Sequence, residues 1–490
     1  MTETSKKLIA GIDLGTTNSL ISLPDSKGTP FIVPNERGER ITPSVVTVLN
    51  DKILVGQLAR SQAVLNHEIT VISVKRYMGK NHAWSFQNKE WTPETISSEI
   101  LKYLKEVASA YAGETVSDAV ITVPAYFNDQ QREATLKAGE LAGFKVHKLF
   151  NEPTAAALAY GLQHSEDDNL LVFDFGGGTL DITLMEVKDG AFLVKGVGGH
   201  AHLGGNDFDE VLVNLAKDEF KKIHDVDLLN DPVAMQQLLI HAERSKIDLS
   251  SVSETRIMIP YITVNKKGPL HLNMPLTRST FDTISAPLLK KIRSIIEGTL
   301  SSAGLEPKWV KSIVLVGGTS RIKCVRNLLA EIFPEDVKFK KDLNPEEIVA
   351  MGAGLLAGAI GEYYDEVIFS DVVPHDLGVE DNEGRFVTVI PKGTPYPVEK
   401  SRMFTTTMDE QSNVTVHILQ GGDKEGDYSP LGHFIVENLP KLPSGEPDIF
   451  VTFRIDSNGI LRVRAEERIS GINHEIQVKS SLVKVGHYSE

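Results

Sequence analysis

The sequence predicts an α/β protein followed by an all-β unit, on three observations. First, up to about Gly361 apolar strand-like runs alternate with segments of helical periodicity. Second, two glycine-rich turns each lie between apolar runs, Gly11 to Asn18 and Asp174 to Asp181. Third, the pattern changes near residue 365, beyond which the period is two and no helix is expected.

The elements follow in chain order. Leu8 to Ile12 and Leu20 to Leu23 are expected strands around the first turn. Thr92-Pro93-Glu94 is a helix start, with Thr as N-cap and Pro at the first helical position. Ile96, Ile100, Leu104 and Val107 then recur at helical spacing. A second helix is expected from Asp129 to Ala142, ended by Gly143. Further helices are expected over 153–162, 206–223, 231–248, 279–303, 322–333 and 345–362. Past residue 365, Val414 to Ile418 alternates. Ile449, Val451, Phe453 and Ile455 alternate likewise, followed by the turn Asp456-Ser457-Asn458-Gly459 and by Leu461, Val463 and Ala465, a hairpin signature. A weak echo between the Asp13 and Asp174 turns points to two related halves around a cleft.

Composition excludes some function classes. The net charge of −15 disfavours general affinity for nucleic acid or an anionic membrane. The single Cys324 excludes an internal disulfide and a cysteine-based metal site. A polar start, Met1 to Lys7, and the lack of an apolar run of spanning length predict a cytoplasmic chain.

The turns carry the chemistry. In Asp174-Phe175-Gly176-Gly177-Gly178-Thr179-Leu180-Asp181, three glycines let backbone N–H groups approach a ligand, flanked by carboxylates suited to a hydrated cation. Gly11-Ile12-Asp13-Leu14-Gly15-Thr16-Thr17-Asn18 offers the same residue types. Either turn alone is more often only a turn; together they suit a polyphosphate clamped from two sides. Val314 to Val316 ends in Gly317-Gly318-Thr319-Ser320-Arg321, where an Arg is placed to cover a purine face. No Walker-type loop and no Gly-x-Gly-x-x-Gly after a strand is present, so the P-loop and dinucleotide readings fall away.

These turns, with Val123-Pro124-Ala125-Tyr126-Phe127, Asn151-Glu152-Pro153-Thr154 and His202-Leu203-Gly204-Gly205, resemble the DnaK-type heat-shock protein 70 chaperones. The resemblance runs from about residue 7 to 480. It implies an actin-like, two-lobed ATPase domain over 1–364, a hydrophobic linker over 365–373 and a β-sandwich peptide-binding domain over 374–490. It implies an ATP-dependent chaperone of the stress response, hydrolysing ATP to ADP with Mg2+ and K+ as cofactors. Its implied partners are unfolded apolar peptides, a J-domain cochaperone and a nucleotide exchange factor.

Site roles carried by the resemblance follow residue by residue. Asp13, Glu152 and Asp174 would hold magnesium, largely through water. Gly15, Thr16, Thr17, Asn18, Gly176, Gly177, Gly178, Thr179, Gly204 and Gly205 would cradle the phosphates. Lys75, Glu152, Thr179 and Asp181 would be catalytic, Lys75 at the γ-phosphate and Thr179 with Asp181 orienting water and a monovalent cation. Glu243, Lys246 and Ser250 share one predicted helix face; the resemblance places ribose and adenine there, with Gly317, Gly318, Ser320 and Arg321 on the other side of the base. Pro124, Arg132, Lys148 and Asp371 resemble coupling positions. Val379, Asn382, Phe404, Thr407, Val414 and Val416 match the peptide cleft, with Val414 at its central pocket and Asn382 and Thr407 as the arch.

The chain departs from the family pattern in three places. Gly79 to Thr92 is short, Ser370 replaces an aliphatic linker residue, and the sequence stops at Glu490 just after the β-unit, so the helical lid is expected to be absent, by nature or by truncation. These departures predict weak, fast peptide exchange, and the short lobe resembles the HscC-like bacterial branch. The alternative from another class is a nucleotide-responsive regulatory or peptide-binding module with little turnover. A small-molecule kinase or a filament protein shares the two-lobed architecture but does not explain the β-unit after Val372.

Overall fold

The computed structural model describes residues 7–50, 52–161, 167–189, 191–266, 268–340, 344–363, 369–421, 428–468 and 473–477. The chain divides into two compact units. The first comprises Met1–Tyr126 and Ala134–Phe369, the second Phe127–Glu133 and Ser370–Glu490. The linker residues Val367 and Ile368 lie outside the described residues.

The first unit contains two sheets of the same design. In one, β1 (Ala10–Leu14), β2 (Asn18–Pro24), β3 (Pro30–Ile32), β4 (Asp118–Val123) and β5 (Lys145–Asn151) run in the order β5-β4-β1-β2-β3. Strands β1, β4 and β5 are parallel, whereas β2 and β3 return antiparallel. In the other, β6 (Asp168–Phe175), β7 (Leu180–Lys188), β8 (Ala191–His200), β9 (Ser312–Val316) and β10 (Lys338–Lys340) run in the order β10-β9-β6-β7-β8. Again β6, β9 and β10 are parallel and β7 and β8 antiparallel. The echo between the two turns is thus the repeat of a whole sheet, and Asp13 and Asp174 end equivalent strands.

Close backbone approach holds this unit together. The helix Ile348–Ile360, rich in Gly and Ala, packs on β1: a Cβ added to Gly11 would lie 2.2 Å from the Gly354 nitrogen. The same helix meets the helix Glu152–Gly161, where a Cβ on Gly352 would lie 1.8 Å from the Ala155 carbonyl oxygen. The Ser22 hydroxyl donates to the Ala350 carbonyl at 2.7 Å and fixes the register of helix on sheet. Only small residues permit these crossings.

Most expected helices are present. The helix Pro93–Ala112 begins at a reciprocal cap, in which the Thr92 hydroxyl accepts from the Thr95 amide and the Thr95 hydroxyl from the Thr92 amide. The helix expected over 279–303 is instead two, Arg278–Ile284 and Ala286–Ser302. Pro287 lacks an N–H and fits only a first turn, so it starts a new helix. The second glycine turn is shorter than expected, because β6 continues through Phe175.

The second unit has two four-stranded antiparallel sheets. One contains β11 (Leu377–Glu380), β12 (Phe386–Ile390), β14 (Asn413–Gly421) and β15 (Tyr428–Glu437), ordered β12-β11-β14-β15; the other orders β13 (Val398–Phe404), β16 (Ile449–Ile455), β17 (Leu461–Glu467) and β18 (Asn473–Gln477) in sequence. Val379, Val416, Ile418 and Val436 from the first sheet share one apolar core with Ile449, Val451, Phe453 and Val463 from the second. Period-two sequence gives each strand one core face and one outer face.

Candidate functional site

A cavity of 380 Å³ opens in the first unit between the two sheets' turns. The turns meet across it. A Cβ on Gly177 would lie 1.8 Å from the Thr17 hydroxyl oxygen, and one on Gly178 would lie 2.4 Å from Thr16 Cγ2. Asp13, Gly15, Thr16, Thr17 and Asn18 line one wall, and Asp174, Gly176, Gly177 and Thr179 line the other. The buried Thr17 hydroxyl has no hydrogen-bond partner among the described residues. A buried polar atom left without a partner is costly unless a ligand serves it.

The floor is charged. Lys75, in the short 3-10 turn Val74–Tyr77, is buried with its Nζ 2.5 Å from Glu152 Oε1. Burial pushes Asp13 up to about 7; the neighbouring Glu152 charge raises it further and Lys75 opposes. Asp174 is raised well above the carboxylate range by burial, then by Glu152, Asp181 and Asp13. Burial pulls Lys75 down, but Glu152 and Asp13 outweigh it and lift the ammonium above its usual value. Three carboxylates therefore face one ammonium in a low-dielectric pocket, an excess of negative charge that a cation relieves. Among the described residues no group of three or more His, Cys, Asp or Glu is placed to hold a metal ion by itself. Oxygen donors of this type suit a hard cation such as magnesium.

The far end of the cavity is lined by Glu243, Lys246, Ile247 and Ser250 on the helix Pro232–Ser251, and by Gly317, Gly318, Arg321, Pro345 and Glu346. Gly317 has φ 74, and a Cβ there would lie 2.4 Å from the Phe175 carbonyl oxygen, so the chain passes close behind the second turn. Lys246 Nζ donates to Asp209 at 2.7 Å and to the Gly205 carbonyl at 3.1 Å. Burial raises Asp209 to about 6, with Lys246 opposing. The Arg321 guanidinium donates to Asn344 at 3.1 Å.

Gly178, Gly204, Gly205, Ser320 and Asp181 stand outside this lining and build the wall behind it. A Cβ on Gly204 would lie 2.4 Å from the Gly177 carbonyl carbon. The Gly205 amide donates to the Gly176 carbonyl, and the Ser320 hydroxyl to the Gly317 carbonyl. Asp181 pairs with Asp174 across β6 and β7 and accepts from the Tyr126 amide at 3.1 Å.

Sequence reasoning missed the residues that reach across the cleft. Arg60 forms an ion pair with Glu243, and Arg76 one with Asp207 at 2.7 Å. Asn206 donates to the Ser73 hydroxyl at 3.0 Å, whereas Thr319 ties the second sheet's own turns together by donating to the Gly176 carbonyl at 2.8 Å. Asn206 and Thr319 directly follow or sit within glycine motifs, which was the available signal.

The residues expected to act in coupling are buried or packed against an aromatic ring. Pro124 is buried after β4. Lys148 Nζ sits 5.5 Å from the centre of the Phe369 ring, which itself lies 5.1 Å from Phe150. Within the second unit, buried Arg132 donates to the Phe127 carbonyl at 3.2 Å, and buried Asp371 pairs with Tyr396 in a short antiparallel ladder. Val379 and Val416 belong to the sandwich core, and Phe404 and Val414 pack at its edge. Asn382 and Thr407 are exposed, and the Thr407 amide donates to Gln411.

The chain matches known proteins along most of its length. A family model described as "Hsp70 protein" matches residues 9–89 and 81–485. The chain is 42% identical over 496 aligned residues to "Chaperone protein dnaK" of Cyanidium caldarium, covering 96% of this chain and 80% of that one. It is 43% identical over 496 residues to "Chaperone protein DnaK" of Thermus thermophilus, with the same coverage.

Proposed function

Because the chain belongs to the Hsp70 family, in its DnaK-type branch, we propose that it is an ATP-dependent chaperone. In this reading, ATP binding and hydrolysis in the first unit control capture and release of extended apolar peptides by the second. The observation that carries it is the pair of facing glycine turns, with the unpartnered Thr17 hydroxyl between them and the Asp13, Lys75, Glu152, Asp174 cluster beneath.

Thr16, Thr17, Asn18 and the amides of Gly176 to Thr179 hold the phosphates. Asp13, Glu152 and Asp174 would hold a magnesium ion, which would supply charge neutralisation at the phosphate oxygens. A loose, metaphosphate-like transition state needs charge balance and an aligned water more than a strong base. Lys75 would give the first at the γ-phosphate; Thr179, with Asp181 in the wall behind it, would give the second, and a monovalent cation would add to the charge balance there. Glu243, Lys246 and Ser250 take the ribose and adenine edge, with Arg321 on the opposite face of the base. Extended peptide adds along the sandwich through main-chain hydrogen bonds, with Val414 forming the pocket that reads one side chain. Lys148 and Asp371 meet a J-domain cochaperone, and an exchange factor opens the cleft.

The test is the dissociation rate of a fluorescent apolar peptide, with ADP and then with ATP, in wild type and Val414→Phe. Faster release with ATP, and loss of binding in the variant, are expected. Peptide release that ignores nucleotide would leave a nucleotide-binding protein that is not a coupled chaperone.

A further inference from the structure

The outer face of the second unit carries a pair of histidines that the chaperone cycle does not use. His417 on β14 and His433 on β15 are direct cross-strand partners. Their rings lie 5.5 Å apart, centre to centre, at an interplanar angle of 27°. Both side chains are exposed. Among the described residues neither imidazole has a hydrogen-bond or ion-pair partner.

We propose that His417 and His433 form a two-histidine chelate for a divalent late transition ion of the Cu2+, Ni2+ or Zn2+ type. Directly opposed residues on antiparallel strands have Cβ atoms about 4.5–5.5 Å apart. An ion about 2.0–2.1 Å from one nitrogen of each ring would bring the ring centres to about 4.5–5 Å. The observed separation is close to that, and the side-chain torsions must also turn the stacked rings so that one nitrogen of each points at the ion. The backbone supplies the preorganisation, since the two ligands are locked in register by the ladder on either side, Val416 opposite Phe434 and Ile418 opposite Gly432.

The donor set selects the ion. Imidazole suits copper, nickel and zinc, whereas the hard ions magnesium and calcium prefer oxygen. The one cysteine, Cys324, lies in the other unit and is held up to about 12 by burial, so no thiolate competes. No third His, Cys, Asp or Glu completes a group among the described residues, so the remaining positions belong to water or to an incoming ligand. Two nitrogens with open positions favour the tetragonal habit of Cu2+, which also stands highest in the affinity order. A net charge of −15 draws cations to the protein. Bound there, the ion would staple β14 to β15 on the face opposite Val416, which is turned into the core.

The test is calorimetric titration of the full chain with Cu2+ and with Zn2+, for wild type, His417→Gln and His433→Gln. Chelation requires both rings, so each single variant should lose the tightest site, with affinity falling at least on the order of tenfold. Saturating Cu2+ should raise the thermal midpoint of the second unit in wild type and leave both variants unmoved. Copper electron paramagnetic resonance should show two equatorial nitrogens in wild type and one in either variant. Equal affinity in wild type and variants would overturn the proposal, as would loss in only one of them or no binding at all. If both variants lower stability without ion present, and ion adds nothing, the rings serve only as a stacked pair across the hairpin.

Discussion

Lys75 and Glu152 form a buried ion pair, with Nζ and Oε1 2.5 Å apart and the two side chains 6% and 8% exposed. The pair joins the short turn Val74–Tyr77 to the start of the helix Glu152–Gly161. It does two jobs that mutation separates. As charge balance it offsets part of the negative field of Asp13 and Asp174. As chemistry it presents a cation where the γ-phosphate is proposed to lie. Lys75→Ala should slow single-turnover ATP hydrolysis by at least about a hundredfold, the effect of losing one preorganised donor worth about 2.7–4 kcal/mol. It should also lower stability, because Glu152 is left buried and unpaired. Lys75→Arg should restore the stability and not the rate, since a guanidinium keeps the charge and changes the geometry. A variant that hydrolyses ATP at the wild-type rate would remove Lys75 from the reaction.

Arg60 reaches from the short helix Gln57–Gln62 to Glu243 on the helix Pro232–Ser251. Arg76 reaches Asp207 in the same sense. These pairs span the cleft, and both are partly solvated. Each is worth about 0.2–1 kcal/mol. Arg60→Ala should therefore speed release of a fluorescent ADP by up to about fivefold in stopped flow, and less at high salt. An unchanged release rate at low salt would show that the bridge does not gate the nucleotide.

The glycine turns and the helix face of Glu243, Lys246 and Ser250 were legible in sequence because each is a local pattern. A tight turn needs glycine within a few residues, and a helix face repeats every three or four. Arg60, Arg76 and Asp209 were not legible. Their partners stand 183, 131 and 37 residues away, and nothing near an arginine in sequence says which distant carboxylate it will meet. The break at Pro287 was legible in principle, since a proline inside a helical pattern ends or restarts it. The continuous apolar spacing on both sides concealed it.

Gly352 sets the approach of two helices. Because a Cβ there would meet the Ala155 carbonyl oxygen at 1.8 Å, Gly352→Val requires the helices Ile348–Ile360 and Glu152–Gly161 to separate. Overpacking of this kind costs about 1–3 kcal/mol. It also shifts Glu152, the first residue of its helix. The thermal midpoint of the first unit should fall by several degrees, and ATP affinity should fall with it. A variant with wild-type stability would mean that this crossing is looser than the backbone distance requires.

Asp118 gives a pH dependence with a definite sign. Burial alone would raise its pKa, but hydrogen bonds from Lys7, His147 and Ser117 outweigh that and hold it down to about 2. Lys7 Nζ and His147 Nε2 each lie 2.6 Å from its Oδ1. The folded value lies below the unfolded one, near 3.9. The ionised carboxylate therefore contributes stability that is fully present above about pH 4 and is lost as pH falls towards 2. Solvent around the half-exposed Lys7 keeps the contribution to on the order of 1 kcal/mol. Asp118→Asn should be less stable than wild type at pH 6 and should converge with it near pH 2, as read by urea midpoints across that range. A constant gap at every pH would assign the effect to shape and hydrogen bonding, with no part played by the charge.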